Sequence, residues 1–403
     1  MRLRGGEGKM KTVKLGSLIT ISKGKKHTIS EVPSPQSVRM LGIDDLRNDT
    51  LIRMTDDKDG VLACVDDVLI AWDGANAGTI GYGKQGYIGS TISRLRLHDP
   101  SKFYALFVGM YLRSNFSYLR KTATGATIPH INRDALERIP VPVFAYDDQI
   151  RIATLLSKVE NLISRRREQL KQLDELLKSV FLEMFGDPIR MKTQLHFPFS
   201  NYIEFLTSGS RGWAKYYSNS GSVFLRINNV KDACLKLDDI VYVNVPNSAE
   251  ANRTRVKAGD LLLSITADLG RTALVSKELE GAYINQHLAL IRIHPDKGLN
   301  SLFLTWYFTM PYGNAFIKKK NREGVKAGLN FDDIRGLQIV KPAIQLQKQF
   351  ADIAEKVEGI KSRYQQSLTE VENLYGILNQ KAFKGELDLS KVLLVSCLVS
   401  SLQ

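Results

Sequence analysis

The sequence is poor in residues that cross-link a chain or hold a metal ion. Its three cysteines, Cys64, Cys234 and Cys397, lie far apart and form no Cys-x-x-Cys motif. We therefore expect reduced thiols and no disulfide framework. The histidines lack metal-ligand spacing, since His287 and His294 have no acidic or cysteine companions in a ligand pattern. The sequence thus predicts no bound metal.

Long apolar runs are also missing. No run of 18 or more apolar residues occurs, so we expect no membrane span and a cytoplasmic protein. Residues 1–10 are basic but lack the apolar core of a signal peptide. Residues 392–399 form an apolar tail that is too short to cross a bilayer, and we expect this tail to be buried or disordered.

The motifs of common enzyme classes are absent from the sequence. It has no GxxxxGK(S/T) phosphate loop, no HExxH, no GxSxG elbow and no Asp/Asn-Pro-Pro-aromatic run of the amino-methyltransferases. The glycine-rich stretch 74–83 lacks the GxGxxG pattern of nucleotide-binding sites. The pairs Asp44-Asp45 and Asp66-Asp67 could ligate a metal, but such pairs more often occupy turns and caps. We expect a non-catalytic chain that binds no cofactor itself.

Positive charge is in excess over negative charge. The 403 residues include 56 Lys and Arg against 42 Asp and Glu, which gives a net charge of +14 and a pI of about 9.5. Such an excess favours a polyanionic partner such as nucleic acid. The length suggests two or three domains.

A stretch of about forty residues occurs twice, at 148–187 and at 346–386. A shift of 198 residues lays Lys158-Val159-Glu160 on Lys356-Val357-Glu358. Apolar residues recur at spacings of three and four, the heptad signature of a helix that packs along one seam. The predicted seam residues are Val159, Leu162, Leu173, Leu176 and Val180 in the first copy and Val357, Ile360, Tyr364, Val371, Leu374 and Leu378 in the second.

Each copy predicts a long helix whose natural partner is the other copy. A helix of some 35 residues is about 50 Å long, too long to bury its whole seam against a globule of this size. The alternative is two unrelated amphipathic helices, each lying on its own domain. That alternative does not require the shared register.

The segments around these helices also repeat. Residues 13–142 and 197–342 both show short strands and turns in the same order, with helices predicted at 103–116 and 302–318. The predicted fold is α+β, with two similar mixed α/β globular domains separated by two long helices that form an antiparallel coiled coil. The predicted boundaries are 1–147 for the first globular domain, 148–187 for the central helix, 188–345 for the second globular domain, 346–387 for the C-terminal helix and 388–403 for a tail.

Polar and basic loops in both globular domains predict contacts with DNA. Lys and Arg neutralise phosphates, and Asn, Gln and Arg can form bidentate hydrogen bonds to base edges. Any one of these residues could equally be an ordinary solvated side chain, but their recurrence in both halves favours nucleic acid. The candidates are Lys23, Lys25, Lys26, His27, Thr124, Thr127, His130 and Asn132 in the first domain, and Arg211, Trp213, Lys215, Tyr216, Asn285, Gln286, His287, Arg322, Lys326 and Asn330 in the second.

Short motifs follow one another in a fixed order along both halves of the chain. They are Lys14-Leu15-Gly16-Ser17-Leu18, Asp67-Val68-Leu69-Ile70-Ala71, Gly259-Asp260-Leu261-Leu262-Leu263, Thr124-Gly125-Ala126-Thr127-Ile128-Pro129-His130-Ile131-Asn132, Ile139-Pro140-Val141-Pro142, Asp148-Gln149-Ile150 and Lys384-Gly385-Glu386-Leu387. By these motifs the sequence resembles, over nearly its full length, the specificity subunits of type I restriction-modification systems. In the second half, Gly328-Leu329-Asn330 departs from the Ile-Pro-containing core of the corresponding loop.

The resemblance implies a role in defence against foreign DNA. Each globular domain would be a target recognition domain that reads one half of a split, asymmetric sequence in double-stranded DNA. The paired helices would set the gap between the halves and hold two methyltransferase subunits, which in turn hold the restriction subunits. S-adenosylmethionine, ATP and Mg²⁺ would then serve those partners in adenine methylation and cleavage. Two rival interpretations are a fused type IIG-like enzyme and a coiled-coil adaptor without sequence-specific DNA reading.

Overall fold

The computed structural model describes residues 10–48, 51–125, 127–186, 194–209, 211–231, 233–320 and 328–392. Their contacts divide the chain into two units. The first unit contains the described residues up to 167 and from 366 onwards, and the second unit contains those from 168 to 365. Each unit therefore comprises one globular part and a portion of each long helix. The predicted domain boundaries stay a prediction.

Two four-stranded sheets and one strand pair form the β-structure of the first unit. One sheet is antiparallel with the order β2-β9-β6-β7, the other has the order β4-β3-β8-β5 with β3 and β8 parallel, and β1 pairs with β10. The strands are β1 (Thr12–Lys14), β2 (Ile19–Lys23), β3 (Val38–Leu41), β4 (Arg53–Thr55), β5 (Leu62–Ala63), β6 (Val68–Ala71), β7 (Ile80–Tyr82), β8 (Gly86–Ile88), β9 (Ile92–Leu97) and β10 (Pro140–Pro142).

The second unit repeats this arrangement. Its antiparallel sheet has the order β12-β21-β18-β19, a second sheet has the order β13-β17-β14-β20 with β14 and β20 parallel, and β11–β22 and β15–β16 are pairs. The strands are β11 (His196–Pro198), β12 (Ile203–Ser208), β13 (Tyr217–Ser218), β14 (Ser222–Leu225), β15 (Val230–Lys231), β16 (Cys234–Leu235), β17 (Val241–Val243), β18 (Leu261–Ser264), β19 (Thr272–Leu274), β20 (Tyr283–Ile284), β21 (Leu288–Ile293) and β22 (Gln338–Val340).

Short helices cover these sheets, and two long helices follow the globular parts. The helices are α1 (Ala105–Ser114), α2 (Phe116–Lys121), α3 (Arg133–Glu137), α4 (Tyr146–Phe185), α5 (Ala249–Thr254), α6 (Ser301–Thr309), α7 (Pro311–Lys319), α8 (Phe331–Arg335) and α9 (Ile344–Lys384). The single helix predicted at 302–318 is wrong, because Met310 is extended (ψ 149°) and Pro311 starts a new helix. No helix among the described residues is long and apolar enough to cross a bilayer.

The two long helices are continuous and pack antiparallel, as predicted. α4 contains no proline or glycine and ends before Gly186, which has a φ of +97°. In the first unit Glu160 of α4 contacts Tyr375 of α9. In the second unit Asp174 of α4 contacts Lys361, and Phe181 of α4 contacts Phe350. Residues nearer the start of α4 thus contact residues nearer the end of α9, and the reverse holds at the end of α4. The two helices are therefore antiparallel.

The predicted seam is only partly correct. Val159 and Val357 are buried, but Leu162, Leu176 and Leu374 are 50%, 47% and 47% exposed, and Ile360 is also exposed. The reason is that each helix packs against a globular part as well as against its partner helix, so its buried face lies at other positions of the heptad. The residues that fill this face include Leu156, Leu177, Phe181, Phe350, Leu368 and Ala382.

Aromatic side chains from the long helices complete the core of each unit. In the first unit the Phe383 ring lies 5.5 Å from the Phe107 ring of α1. In the second unit Phe181 stacks on Phe303 at 5.7 Å and meets Phe350 edge-on at 5.2 Å. Buried aromatic pairs of this kind add about 0.5–1.5 kcal/mol beyond area burial. The long helices are therefore structural parts of both units.

Two buried glutamines fasten the long helices to the short ones by equivalent hydrogen bonds. Gln149 in the first turn of α4 accepts from the Tyr104 backbone N–H at 2.9 Å and donates to the Lys102 carbonyl at 2.8 Å. Gln347 in α9 accepts from the Asn300 N–H at 2.8 Å. Both side chains are fully buried. These hydrogen bonds satisfy free N–H groups at the starts of α1 and α6.

The acidic pairs of the sequence serve as turn residues. The Asp67 carboxylate accepts from the Cys64 N–H and from two nitrogens of Arg96. Asp260 does the same with the Lys257 N–H and Arg292 in the second unit. Asp45 accepts from the Gly42 N–H and from the guanidinium groups of two arginines, at positions 39 and 53. Arginine and backbone groups therefore bind the carboxylates of Asp45, Asp67 and Asp260.

Candidate nucleic-acid interface

Three loop segments of the first unit meet at Asp73, two residues after β6. One carboxylate oxygen lies 2.8 Å from the Lys23 ammonium at the end of β2. The other lies 2.6 Å from Nδ1 of His130, in the loop that precedes α3. The Asp73 side chain is 17% exposed, whereas those of Lys23 and His130 are 56% and 48% exposed. The structure thus places two cationic or polar groups on the surface and fixes both to one carboxylate.

Backbone hydrogen bonds hold these loops together. The Gly74 N–H donates to the Pro129 carbonyl at 2.9 Å, and the Ile131 N–H donates to the Trp72 carbonyl at 2.9 Å. His130 exchanges backbone hydrogen bonds with Thr124 at 2.9 and 2.7 Å. The polar loop 122–132 is therefore anchored to the end of β6.

The charge of Asp73 is stabilised by its two partners. Partial burial raises the pKa of this carboxyl, but hydrogen bonds from Lys23 and His130 outweigh burial and hold the pKa below its ordinary value. A charged carboxylate is an acceptor only, so it retains both partners at neutral pH.

The second unit places a neutral group at the equivalent position. Thr266 follows β18 by two residues, and its hydroxyl lies 2.6 Å from Nδ1 of His287. Nε2 of His287 lies 3.1 Å from the amide nitrogen of Gln286. The Leu329 N–H donates to the Ile265 carbonyl at 2.9 Å, which anchors the loop before α8 in the same manner. Both units therefore gather polar side chains at one place in the fold.

The other predicted residues that the structure describes are exposed or have contacts of their own. Lys25 forms an exposed ion pair with Asp59 at 2.6 Å, and Lys215 lies over the Tyr216 ring at 5.0 Å. Exposed positions are occupied by Lys26, Thr127 and Arg211. Asn285 accepts from the His287 N–H at 3.2 Å. Arg322 and Lys326 lie outside the described residues.

Four predicted residues have structural roles that the sequence did not reveal. The His27 side chain is 1% exposed, stacks on Tyr87 at 5.2 Å and pairs with an aspartate. Trp213 is buried, stacks on Phe224 at 5.0 Å and donates to Glu250. Both rings are buried in this structure, and their contacts with DNA stay a prediction. Asn132 and Asn330 cap α3 and α8 through their side-chain oxygens.

Sequence reasoning missed the residues that support the loop after β6. Arg120 donates to the Ala75 carbonyl at 2.9 Å, and Arg47 donates to the Asn76 side chain at 2.7 Å. Asp73 was not among the candidates, which were basic, aromatic or uncharged polar residues. Its place two residues after a buried strand, where Thr266 stands in the second half, is the signal that could have found it.

The glycines after β2 and β12 are required for close approach. A Cβ on Gly24 would lie 2.3 Å from the Ile88 carbonyl oxygen, and a Cβ on Gly209 would lie 2.3 Å from the Ile284 carbonyl oxygen. Only glycine permits this contact between the end of the strand and the neighbouring loop. The glycine therefore positions the basic loop and does not merely make it flexible.

Comparison with known families decides the assignment. The family model of the type I restriction modification DNA specificity domain matches this sequence twice, at residues 7–173 and 214–373. The chain belongs to this family. Each match begins in one globular part and runs into the long helix that follows it. The repeated unit of this specificity-domain protein is thus a globular part with its helix.

Relatives of this sequence agree with its membership of the family. The sequence is 28% identical over 178 residues to the type I restriction enzyme MjaVIII specificity subunit of Methanocaldococcus jannaschii, covering 43% of this chain and 41% of that one. It is 19% identical over 360 residues to the EcoBI specificity subunit of Escherichia coli, covering 80% and 74%. The chain thus spans less than half of the archaeal relative.

A crystal structure of the type I restriction-modification S subunit from M. genitalium has the same fold. The two superpose with a TM-score of 0.61 over 95% of this chain and 98% of that chain, at 16% sequence identity. This agreement supports the predicted fold class, with two repeated α/β parts and paired long helices.

Proposed function

We propose that this protein is the DNA sequence-recognition subunit of a type I restriction-modification complex. It reads a bipartite, asymmetric target in double-stranded DNA, one half with each unit. The observation that carries this proposal is the equivalent position after β6 and β18, which presents different side chains in the two units. Equivalent scaffolds with different contact groups suit two unlike half-sites, because base edges are distinguished by their donors and acceptors.

Exposed cations in both units would supply the sequence-independent part of binding. Lys23 and Lys25 have side chains that are 56% and 57% exposed, and Arg211 and Lys215 are exposed in the second unit. Each phosphate contact adds about 0.9 to the slope of log affinity against log salt concentration. Base contacts would then add about 1–3 kcal/mol of discrimination per base pair.

The chemistry of the complex would reside in partner subunits. S-adenosylmethionine would bind the methyltransferase subunits, and ATP and Mg²⁺ would bind the restriction subunits. Two methyltransferase copies would dock on the long helices, because equivalent apolar side chains are exposed on both. Leu162 and Leu374 are 50% and 47% exposed in the first unit, and Ile360 and Leu176 are 36% and 47% exposed in the second. Exposed apolar groups at repeated positions suit two identical partners.

The decisive experiment is a methylation map. The full chain is co-expressed with a methyltransferase subunit of a type I restriction-modification system, and methylated adenines are mapped in the genomic DNA of the expressing cells. The expected result is one split motif with two unlike halves. Methylation by the purified chain alone with S-adenosylmethionine would instead identify a fused enzyme, and the absence of salt-sensitive, sequence-selective DNA binding would identify an adaptor.

The docking surface has its own test. Leu162→Asp and Ile360→Asp should each halve the number of methyltransferase subunits that co-purify, and the double variant should remove both. Leu62→Asp, which changes a comparably exposed leucine in β5, is the matched control and should retain both copies. Retention of two copies by the double variant would show that docking uses another surface.

A further inference from the structure

The clusters at Asp73 and Thr266 occupy the same place in the fold but differ in charge. Each residue stands two positions after a central strand, and each forms an isolated bridge to the loop before a short helix, to His130 and to Gly328 respectively. In the first unit this place carries a carboxylate with two cationic or polar partners. In the second unit it carries a hydroxyl, an imidazole and an amide.

We infer that Asp73 is the positioning residue for base reading by the first unit. It acts by fixing the Lys23 ammonium and the His130 ring, which contact the DNA. Thr266, His287 and Gln286 form the corresponding uncharged group, in which Gln286 reads the other half-site and His287 positions it. This inference rests on the proposed function and names the residues of each unit that discriminate between bases.

The hydrogen-bond roles of His130 follow from its partner. Because an ionised carboxylate can only accept, Nδ1 of His130 carries the proton that it donates to Asp73. Nε2 then remains for the ligand. A neutral ring offers an acceptor for the amino group of adenine or cytosine in the major groove, whereas a protonated ring offers a donor for guanine. Asp73 therefore determines which ring atom faces the bases.

The roles in the second unit are different. The amide nitrogen of Gln286 can only donate, so Nε2 of a neutral His287 accepts from it and Nδ1 donates to the Thr266 hydroxyl. Both nitrogens of His287 are thereby occupied. Gln286 keeps its carbonyl oxygen and one N–H, the pair of groups that can bind adenine in a bidentate manner. Gln286 is the contacting residue of this cluster, and His287 positions it.

The partial burial of Asp73 distinguishes positioning from direct contact. Its side chain is 17% exposed while both partners are about half exposed. A carboxylate that faced the DNA would repel phosphates, whereas this one is covered by the groups that it holds. Its removal should alter selectivity in one half-site without abolishing the electrostatic part of binding.

The experiment selects bound sequences from a pool of randomised DNA duplexes with the purified full chain. Asp73→Asn should change the preferred bases in one half of the selected motif, with a loss of about tenfold in preference at one or two positions, the scale of one lost base contact. His130→Ala should affect the same half, and Gln286→Ala should affect the other half. Lys23→Met should lower the salt slope by about 0.9.

The controls separate positioning from a loss of folding. Asp99→Asn removes a carboxylate that also pairs with a lysine, at 2.9 Å from Lys102, and should leave both halves unchanged. If Asp73→Asn were to lose all binding, the selections with His130→Ala and Lys23→Met would decide the inference. An unchanged motif in every first-unit variant would overturn the inference while leaving the proposed function intact. A wild-type chain that selects no split motif would overturn the function itself.

Discussion

Arg96 donates two hydrogen bonds to the buried carboxylate of Asp67, from Nε at 2.8 Å and from Nη2 at 2.7 Å. The carboxylate side chain is 2% exposed and lies in the turn that leads into β6. Arg292 and Asp260 form the same pair before β18. The pair therefore fixes the strand whose end carries the candidate DNA-binding cluster in each unit.

The first prediction concerns this pair. Asp67→Asn should lower the free energy of unfolding by about 2–3 kcal/mol, because charged hydrogen bonds are lost and Arg96 is left without its counter-ion. Urea denaturation followed by circular dichroism measures the change. The exposed aspartate in Asp66→Asn is the adjacent control and should shift stability by less than about 0.5 kcal/mol. Equal effects of Asp67→Asn and Asp66→Asn on stability would show that the Asp67–Arg96 pair does not stabilise the fold.

The buried glutamines give a second prediction. Gln149→Ala should lower the free energy of unfolding by about 2–3 kcal/mol, because the Tyr104 N–H and the Lys102 carbonyl lose their buried partner. Gln347→Ala should have a similar effect in the second unit. Gln172→Ala on the exposed face of α4 is the matched control, with an expected change near zero. Hydrogen exchange at the start of α1 would report the released N–H directly.

A third prediction concerns the pH dependence of stability. Burial raises the pKa of Asp45, but the Gly42 N–H and two arginine guanidinium groups more than offset burial, so its pKa lies below the ordinary value. A lowered folded-state pKa stabilises the fold above the unfolded pKa, about 3.9, and this stabilisation disappears as pH falls through the folded value. Asp45→Asn should thus lower the free energy of unfolding by about 1–3 kcal/mol at pH 7, and by progressively less below about pH 4. A loss of stability that is the same at every pH would show that the charge of Asp45 does not stabilise the fold.

Glycine substitutions give a fourth prediction with opposite signs. Gly24→Ala should destabilise by about 1–3 kcal/mol, because the new Cβ would lie 2.3 Å from the Ile88 carbonyl oxygen. Gly359 lies in α9, and a methyl group added there would have nothing within 4 Å. Gly359→Ala should therefore stabilise the helix by about 0.5–1 kcal/mol. Thermal unfolding of the two variants in parallel tests both signs.

The large elements were predictable, because their signals extend over many residues. The heptad pattern and the shift that superimposes Val159 on Val357 predicted two paired helices, which the structure contains. The same pattern misplaced Leu162, because spacing alone does not show which apolar stripe a globular part will cover. The parallel pairing of β3 with β8 depends on contacts between distant residues and has no local signature.

The candidate site was predicted less completely. The loop residues Lys23, Thr124 and His130 do lie together. The burial of His27 and Trp213 was not predicted, because a basic or aromatic loop residue gives no sign that its ring will stack on a distant side chain. The DNA-binding roles of the predicted residues stay a prediction, which selection from randomised duplexes tests.

The split of both long helices between the two units has a consequence for synthesis on the ribosome. The first unit includes Phe383, whose ring packs against Phe107, yet the whole of 168–365 is translated between these two residues. The first globular part therefore cannot complete its core around Phe107 until α9 has left the ribosomal exit tunnel. A chain that terminates early would lack α9 with Phe383, so the core of the N-terminal globular part would stay incomplete. We expect chaperones to bind such a nascent fragment preferentially.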